Sequence, residues 1–272
     1  MSVLPAGPLA HGRSAEVFAD GEDRVVKLAF AGIPEADVDR EARDSVTVYE
    51  LGITPVRCHG RVEIDGRHGI VFDRITGVPL TTIAERNILR LPEVGRTLAA
   101  EHAAVHAVTT DRLQDVRELA LAQLDTPALA ALDADERARV AERIRRLPAG
   151  DAVLHLDFHP QNVFVLPERN VVIDWQSAVA GQPAADAALT RLLFREAELF
   201  PGTSAPMRVV YAAVRRILLR HYVAEYLRIT DVTTADLDRW EIAARVLRLG
   251  LLDIASERAR MIAGIRADLA AS

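Results

Sequence analysis

The chain has 272 residues, half of them hydrophobic and about a quarter charged, with 15 Gly and 13 Pro, a composition that excludes disorder, collagen and coiled coil. At this length it can bury a sizeable core as one large domain or two small ones. Thirty-three basic residues against 39 acidic ones leave a net charge of −6 with no basic tract, so nucleic acid is not an expected partner.

Cys58 is the single cysteine and cannot form an internal disulfide, and Met1-Ser2-Val3-Leu4-Pro5 has neither a charged n-region nor an apolar h-region. These features predict a cytoplasmic protein. Arg or Asp interrupts even the richest apolar stretches before the ~20 residues that a membrane span requires. Lys27 is the only lysine among the 33 basic residues. A lone Lys in an Arg-rich chain marks a position where a compact ammonium fits and the guanidinium fork does not.

Short alternating runs divided by turn residues fill the first 75 residues and predict a small sheet. Ala15 to Phe18 and Arg24 to Leu28 flank the turn Asp20-Gly21-Glu22-Asp23, which places Lys27 inside a strand. Residues 35–51 read as a helix, with Pro34 at its first turn and Val38, Ala42, Val46 and Tyr49 at helical spacing. A second hairpin follows: Val62 to Ile64, a turn at Asp65-Gly66-Arg67, then Gly69 to Phe72.

From Gly77 onward Ala, Leu, Arg and Glu dominate, with helical periods through 93–108, roughly 111–147, 184–199, 206–229 and 234–269. The Ala/Leu-rich stretch 119–132 reads as plain helix. One island interrupts this pattern at 152–179, where the β-type runs 152–154, 162–166 and 170–173 are separated by polar residues.

The island carries His155-Leu156-Asp157-Phe158-His159-Pro160-Gln161-Asn162 and then Ile173-Asp174-Trp175. Phosphoryl transfer from ATP needs a carboxylate to orient and deprotonate the attacking hydroxyl, oxygen ligands for Mg²⁺, and a cation on the phosphates. Asp157, the pair Asn162 and Asp174, and Lys27 supply these in that order. The spacing of His, Asp, Asn and the second Asp matches the protein-kinase pattern of catalytic loop and metal-binding triplet. One Asn and one Asp are an adequate protein share for Mg²⁺, which keeps much of its water. His155 and His159 admit a competing reading as zinc ligands with Asp157 or Asp174, but Pro160 and the flanking β-type runs oppose the helix such a pair would need. The other histidines, His102 and His106 included, read as packing or surface residues, and Trp175 as a packing residue.

The H-x-D-x-H-x-x-N loop, the I-D-W triplet and Gly181-Gln182-Pro183-Ala184-Ala185-Asp186 resemble the aminoglycoside phosphotransferase family of small-molecule kinases, over nearly the whole chain. The resemblance implies an α+β, bilobal protein-kinase-like fold. Residues 1–75 would form a nucleotide-binding lobe with an antiparallel sheet and one helix. Residues 76–272 would form a helical lobe carrying the catalytic loop 155–162, the triplet 173–175 and the substrate-binding helices. It further implies Asp157 as catalytic base, Asn162 and Asp174 as Mg²⁺ ligands, Lys27 on the α/β-phosphates with Glu41 as its partner, and Asp186 as an anchor beneath the loop. Glu50 is the alternative partner of Lys27. The nucleotide loop would be His11-Gly12-Arg13-Ser14-Ala15, and Asp73-Arg74-Ile75 the hinge that meets adenine. Leu156 stands where the family usually has Gly, and Gln182 where it usually has Asp.

Only eleven residues separate Asp174 from Asp186, too few for the segment that protein kinases use to dock peptides, so the expected acceptor is a small molecule. The expected reaction moves the γ-phosphoryl of ATP or GTP to a hydroxyl, foremost of an aminoglycoside-like antibiotic, giving resistance by O-phosphorylation. The alternative acceptors are an amino alcohol, homoserine or a sugar. Glu196, Glu198, Glu225, Asp231, Asp236, Asp238 and Glu241 are candidates for lining a cationic acceptor's pocket, or else solvated helix faces and caps. Tyr211, Tyr222, Tyr226 and Trp240 are the stock for an aromatic cage. A nucleotide-binding scaffold without catalysis predicts loss of at least one of Lys27, Asp157, Asn162 and Asp174, and all four are present. Nothing in the sequence calls for an obligate protein partner.

Overall fold

The computed structural model describes residues 7–198 and 204–271, so the chain start and the last residue of the helix expected over 184–199 lie outside the described residues. The described chain divides into two compact units, one running up to Pro79 and including Asn162–Ala178, the other comprising Leu80–Gln161 and the residues from Val179 onward. Among the described residues, no helix is long and apolar enough to cross a membrane.

The first unit contains an antiparallel five-stranded sheet in the order β1-β2-β3-β5-β4, formed by β1 (Ala10–His11), β2 (Ala15–Asp20), β3 (Arg24–Ala29), β4 (Cys58–Ile64) and β5 (Arg67–Asp73). The β4–β5 hairpin turns on Asp65 and Gly66, both at positive φ (51° and 74°), the left-handed geometry that an Asp-Gly pair supplies. Alternation along β3 sends Val26 and Leu28 to one face, where they pack with Phe18 and Ile64. Ala29, with Ile70, lies on the other face against Val38 and Ala42 of α1 (Glu35–Glu50). Lys27 alternates with Val26 and Leu28, is cross-strand partner of Ile70, and therefore shares the α1 face.

Burial pushes the Asp44 carboxyl on α1 up to about 6, against the pull of Arg40 and Arg43. A carboxyl raised in the folded state favours folding while protonated; that contribution is full below its unfolded pKa of about 3.9 and is lost as pH rises through the folded value. Asp44→Asn is therefore expected to raise Tm by about 2 °C at pH 8, allowing for solvent screening at this half-buried position, with a smaller gain at pH 5. Thermal melts of both proteins at the two pH values check this, and equal gains would contradict it.

A three-stranded antiparallel sheet completes the unit, with β6 (Val78–Pro79) beside β8 (Val163–Val165) and β9 (Asn170–Val172). The Thr54 hydroxyl donates to the Val172 carbonyl at 3.0 Å, joining the chain after α1 to β9.

The second unit is mostly helical: α2 (Leu80–Arg86), α3 (Leu91–His106), α4 (Val116–Gln123), α5 (Ala134–Arg145), α6 (Pro183–Glu196), α7 (Ala205–Ile229), α8 (Thr234–Arg239), α9 (Glu241–Leu252) and α10 (Ala255–Ala270). A two-stranded antiparallel ribbon of β7 (Ala152–Leu154) and β10 (Val179–Gly181) lies among them. Periodicity had run the helices together. The helix expected over 111–147 is two, because Asp115 caps α4, Pro127 opens only a short 3₁₀ turn, and an Asp133–Glu136 capping box restarts the chain as α5. The segment 119–132 is accordingly not plain helix. The helix expected over 234–269 is three, with α9 ending where Asp253 turns left-handed (φ 41°).

Helices α3 and α7 approach closely at Gly95, where an added Cβ would lie 2.9 Å from the Leu218 carbonyl oxygen and 2.8 Å from the His221 Cβ. That approach brings the His102 and His106 side chains of α3 to Tyr222 and Tyr226 of α7.

Candidate active site

In the first unit, Lys27 Nζ donates to Glu41 Oε1 and to Asp174 Oδ1, each at 2.7 Å, and lies 3.5 Å from Gln176 Oε1. An ammonium has three N–H donors, and three side-chain oxygens meet them. Burial opposes the charge on Lys27, but the charges and hydrogen bonds of Asp174 and Glu41 outweigh it, raising the pKa well above the ordinary lysine value. Glu50 sits at the exposed end of α1, while Glu41 is buried on the face turned to the sheet.

Pairing of Val163 with Val172 in the β8–β9 hairpin sets Asn162 beside Ile173, whose N–H donates to the Asn162 carbonyl at 3.0 Å. The next residue, Asp174, has φ 67°, a left-handed conformation that Asp tolerates better than most residues. Asn162 and Asp174 offer hard oxygen donors from adjacent hairpin ends, a donor set that fits Mg²⁺. Ser14 Oγ donates to Gln176 Oε1 at 3.3 Å, so Gln176 touches both the Ser14 loop and Lys27. Sequence reasoning passed over Gln176; its place two residues after Asp174 was the only signal.

The segment named as a hinge begins with Asp73 at the end of β5. Its Oδ1 lies 2.7 Å from His59 Nε2, its Oδ2 accepts from Arg57 N–H at 3.0 Å, and its own N–H donates to the Arg57 carbonyl. Burial acts to raise this carboxyl, and the His59 and Arg57 bonds outweigh it and lower the pKa. The Asp73 carboxylate thus pins the strand, and Ile75 follows it half-buried.

In the second unit, β7 leads into His155-Leu156-Asp157-Phe158-His159. Leu156 has φ 60°, which accounts for the glycine expected at this place: a Cβ there costs about 1–2 kcal/mol. Side chains of α6 hold the loop backbone on both sides of Asp157. Asp186 Oδ2 accepts from His155 N–H, its Oδ1 from Leu156 N–H at 3.0 Å, and the Thr190 hydroxyl donates to the Phe158 carbonyl at 3.1 Å. Pro183 and Asp186 occupy the first turn of α6, where fixed φ and negative charge both favour a helix start.

The Asp157 carboxylate is half-buried, with Oδ2 3.4 Å from His159 Nε2. Burial acts to raise its pKa; the His159 hydrogen bond and charge, with smaller help from His155 and Arg248, outweigh that and hold it below the ordinary carboxylate range. It is therefore an anion at neutral pH, the form a proton acceptor requires. His155 is fully buried and its Nδ1 accepts from Asp157 N–H. Among the described residues, the His/Asp trio whose ligand atoms converge is His102, His106 and Asp186, so the structure does not favour the zinc reading of His155 with His159.

Most of the acidic residues considered for a cationic acceptor are neutralised by arginine. Glu196 pairs with Arg245, Glu241 with Arg191, Arg195 and Arg245, Asp238 with Arg191, and Glu225 with Arg228. Asp236 closes the capping box of α8. The aromatic residues considered for a cage are largely core: Tyr222, Tyr226 and Trp240 are buried to 1% exposure or less, and Tyr211 is half-buried. Trp175 packs as expected, its indole N–H donating to the Val172 carbonyl.

The model of the phosphotransferase enzyme family matches residues 6–226. No curated protein sequence matches the chain. Among solved structures, the chain is similar to a thermostable mutant of aminoglycoside phosphotransferase APH(4)-Ia in its apo form, at 17% identity over 99% of this chain and 94% of that one, with a TM-score of 0.65. It is also similar to a variant of that protein in a ternary complex with AMP-PNP and hygromycin B, at 15% identity over 97% and 92%, TM-score 0.65. A third similar structure is choline kinase LicA from Streptococcus pneumoniae, at 16% identity over 100% and 94%, TM-score 0.58. These likenesses establish the kinase-like fold, a small antiparallel sheet with a larger helical portion. With a Lys–Glu–Asp cluster in one unit, a braced aspartate loop in the other and the family pattern across most of its length, the chain belongs to the phosphotransferase enzyme family.

Proposed function

We propose that this phosphotransferase moves the γ-phosphoryl group of ATP or GTP, with Mg²⁺, to a hydroxyl of a small molecule. The observation that carries this is the Lys27 ammonium held between Glu41 and Asp174, a buried cation prepared for phosphate oxygens. Lys27 binds the α/β-phosphates, Glu41 orients Lys27, and Asn162 and Asp174 would hold the metal. Mg²⁺ supplies charge neutralisation on the phosphate oxygens when bound. Asp157 accepts the proton of the acceptor hydroxyl as its oxygen attacks phosphorus and ADP or GDP leaves. Ser14, Asp73 and Ile75 are assigned to the nucleotide loop and hinge, with Asp73 acting through the backbone it pins.

For the acceptor, the finer proposal is an aminoglycoside-like antibiotic, supported by the likeness to APH(4)-Ia, one structure of which holds hygromycin B. The pairing of Glu196, Glu225, Asp238 and Glu241 with arginine weakens the electrostatic support for a cation, and the likeness to a choline kinase keeps a small metabolite as the second reading.

The test is Mg²⁺-dependent ADP or GDP release across aminoglycosides, amino alcohols, homoserine and sugars, with Asp157→Asn as the blank. Acceptor-dependent release that the variant lacks is expected; absence of both nucleotide binding and release would overturn the proposal. Asp174→Ala is expected to raise the Kd for Mg-ATP by at least about tenfold, because it removes a metal ligand together with one of Lys27's two carboxylate partners. Titration calorimetry with and without Mg²⁺ reads this, and an unchanged Kd would contradict the ligand assignment.

A further inference from the structure

Behind the catalytic loop, four side chains from α3 and α7 form a buried polar group that phosphoryl transfer does not itself require. His102 and His106 stand one turn apart on α3, and Tyr222 and Tyr226 one turn apart on α7. The Tyr222 hydroxyl lies 2.8 Å from His102 Nδ1, and the Tyr226 hydroxyl 2.6 Å from His106 Nδ1. The opposite nitrogens face one atom: His106 Nε2 is 3.3 Å from Asp186 Oδ2 in a hydrogen bond, and His102 Nε2 is 3.0 Å from the same oxygen at an angle too bent for one. His102, Tyr226 and Asp186 are fully buried, and Tyr222 and His106 nearly so. The His102 ring also stacks on Phe158, the neighbour of Asp157, with centroids 3.9 Å apart and planes 6° from parallel.

With both rings neutral, the proton count in this group has one arrangement. Asp186 accepts the backbone N–H groups of His155 and Leu156, which requires the carboxylate form. A lone pair on either Nε2 would repel that anion, so both Nε2 atoms carry hydrogen. In neutral rings both Nδ1 atoms are then acceptors, and each tyrosine donates to one. Burial and the neighbouring His106 ring push His102 down to about 3, so its imidazole is neutral. Burial alone would raise Asp186, and the His102 and His106 rings outweigh it and keep the group ionised.

We propose that Tyr222 and Tyr226 are positioning residues for the catalytic loop: by donating to Nδ1 they lock His102 and His106 as Nε2–H tautomers, so that the His106 N–H donates to, and the His102 N–H faces, the Asp186 carboxylate that holds the backbone of His155 and Leu156. Asp157 is thereby fixed from both sides, by Asp186 before it and by the His102–Phe158 stack after it. The catalytic consequence rests on the proposed role of Asp157, while the tautomers and the loop's rigidity do not.

Two readouts test this without any acceptor. In the full chain, long-range ¹H–¹⁵N spectra of the histidine rings are expected to show Nε2–H tautomers for His102 and His106 from pH 6 to 8. Tyr222→Phe is expected to convert part of the His102 signal to the other tautomer. Hydrogen exchange across 155–158 is expected to quicken about tenfold in Tyr222→Phe/Tyr226→Phe, with exchange in β3 unchanged. His102→Phe keeps the stack on Phe158 but loses the donor and should loosen the loop, whereas His102→Gln keeps a donor near the Nε2 position and should restore protection.

Nδ1–H or doubly protonated rings in the wild type, unchanged exchange in the double variant, or a stoichiometric transition metal bound by His102, His106 and Asp186 would each overturn the proposal. With an active acceptor in hand, Tyr222→Phe should lower kcat about 10-fold or more and leave KM for ATP unchanged. If the tautomers and exchange behave as stated while Asp157→Asn turns over like wild type, the positioning group stands and the assignment of the base falls.

Discussion

Replacing Asp157 by Asn is expected to lower acceptor-dependent ADP release about 10³-fold while leaving Mg-ATP affinity within about twofold. The substitution keeps the side chain's shape and the backbone that Asp186 and Thr190 hold, and removes only the negative, proton-accepting oxygen. Nucleotide contacts are assigned to Lys27, Asn162 and Asp174, none of which is altered, so the loss falls on kcat. The pH profile follows with a definite sign. Because the hydrogen bond and charge of His159, with smaller help from His155 and Arg248, hold the Asp157 carboxyl below its ordinary range, Asp157 stays ionised in the wild type through neutral and mildly acidic pH. Its contribution to kcat fails only on the acid side of the usual carboxylate range. Steady-state rates from pH 5 to 8 check both statements; equal turnover by variant and wild type would remove Asp157 as the base.

The second large effect is expected at Lys27. Lys27→Ala should lower kcat/KM for ATP by about 10²–10³-fold, the usual loss when a preorganised electrostatic donor is removed. It also leaves Glu41 and Asp174 without the cation between them, and the buried Glu41 becomes the costlier of the two to keep charged. Lys27→Arg should recover less than about tenfold of the loss, because the guanidinium is a planar fork whereas three acceptors from α1, Asp174 and Gln176 surround a compact ammonium. Calorimetry with Mg-ATP beside steady-state kinetics reads the result. Full activity in Lys27→Arg would show that charge alone suffices and that the single lysine of the chain has no geometric cause.

The sequence by itself was enough for the parts whose chemistry is local. Strand alternation and the Asp-Gly turns placed β2 to β5 and put Lys27 inside a strand, because side-chain period and turn geometry are properties of a few consecutive residues. Asp157, Asn162 and Asp174 were visible for the same reason: they lie on one loop and one hairpin, at spacings the backbone sets directly. Helix breaks inside the expected periods were not visible, since the capping box at Asp133 and the left-handed turn at Asp253 interrupt an apolar period that continues through them.

Tertiary structure decided what depends on residues distant in the chain. Periodicity left Glu41 and Glu50 both open; the packing of α1 on the sheet puts Glu41 on Lys27 and Glu50 at an exposed end. Leu156 looked like a simple departure from Gly until its φ of 60° showed why glycine suits the place and that buried packing of the leucine side chain accompanies the strain. The acidic residues that composition offered to a cationic acceptor are matched largely to arginines on other helices, such as Glu196 to Arg245, 49 positions away. The His102–Tyr222 and His106–Tyr226 pairs span 120 positions each, so no local period could announce them. Hydrogen bonds and ion pairs of this kind are chosen by which surfaces the core brings together, and that choice belongs to the fold as a whole.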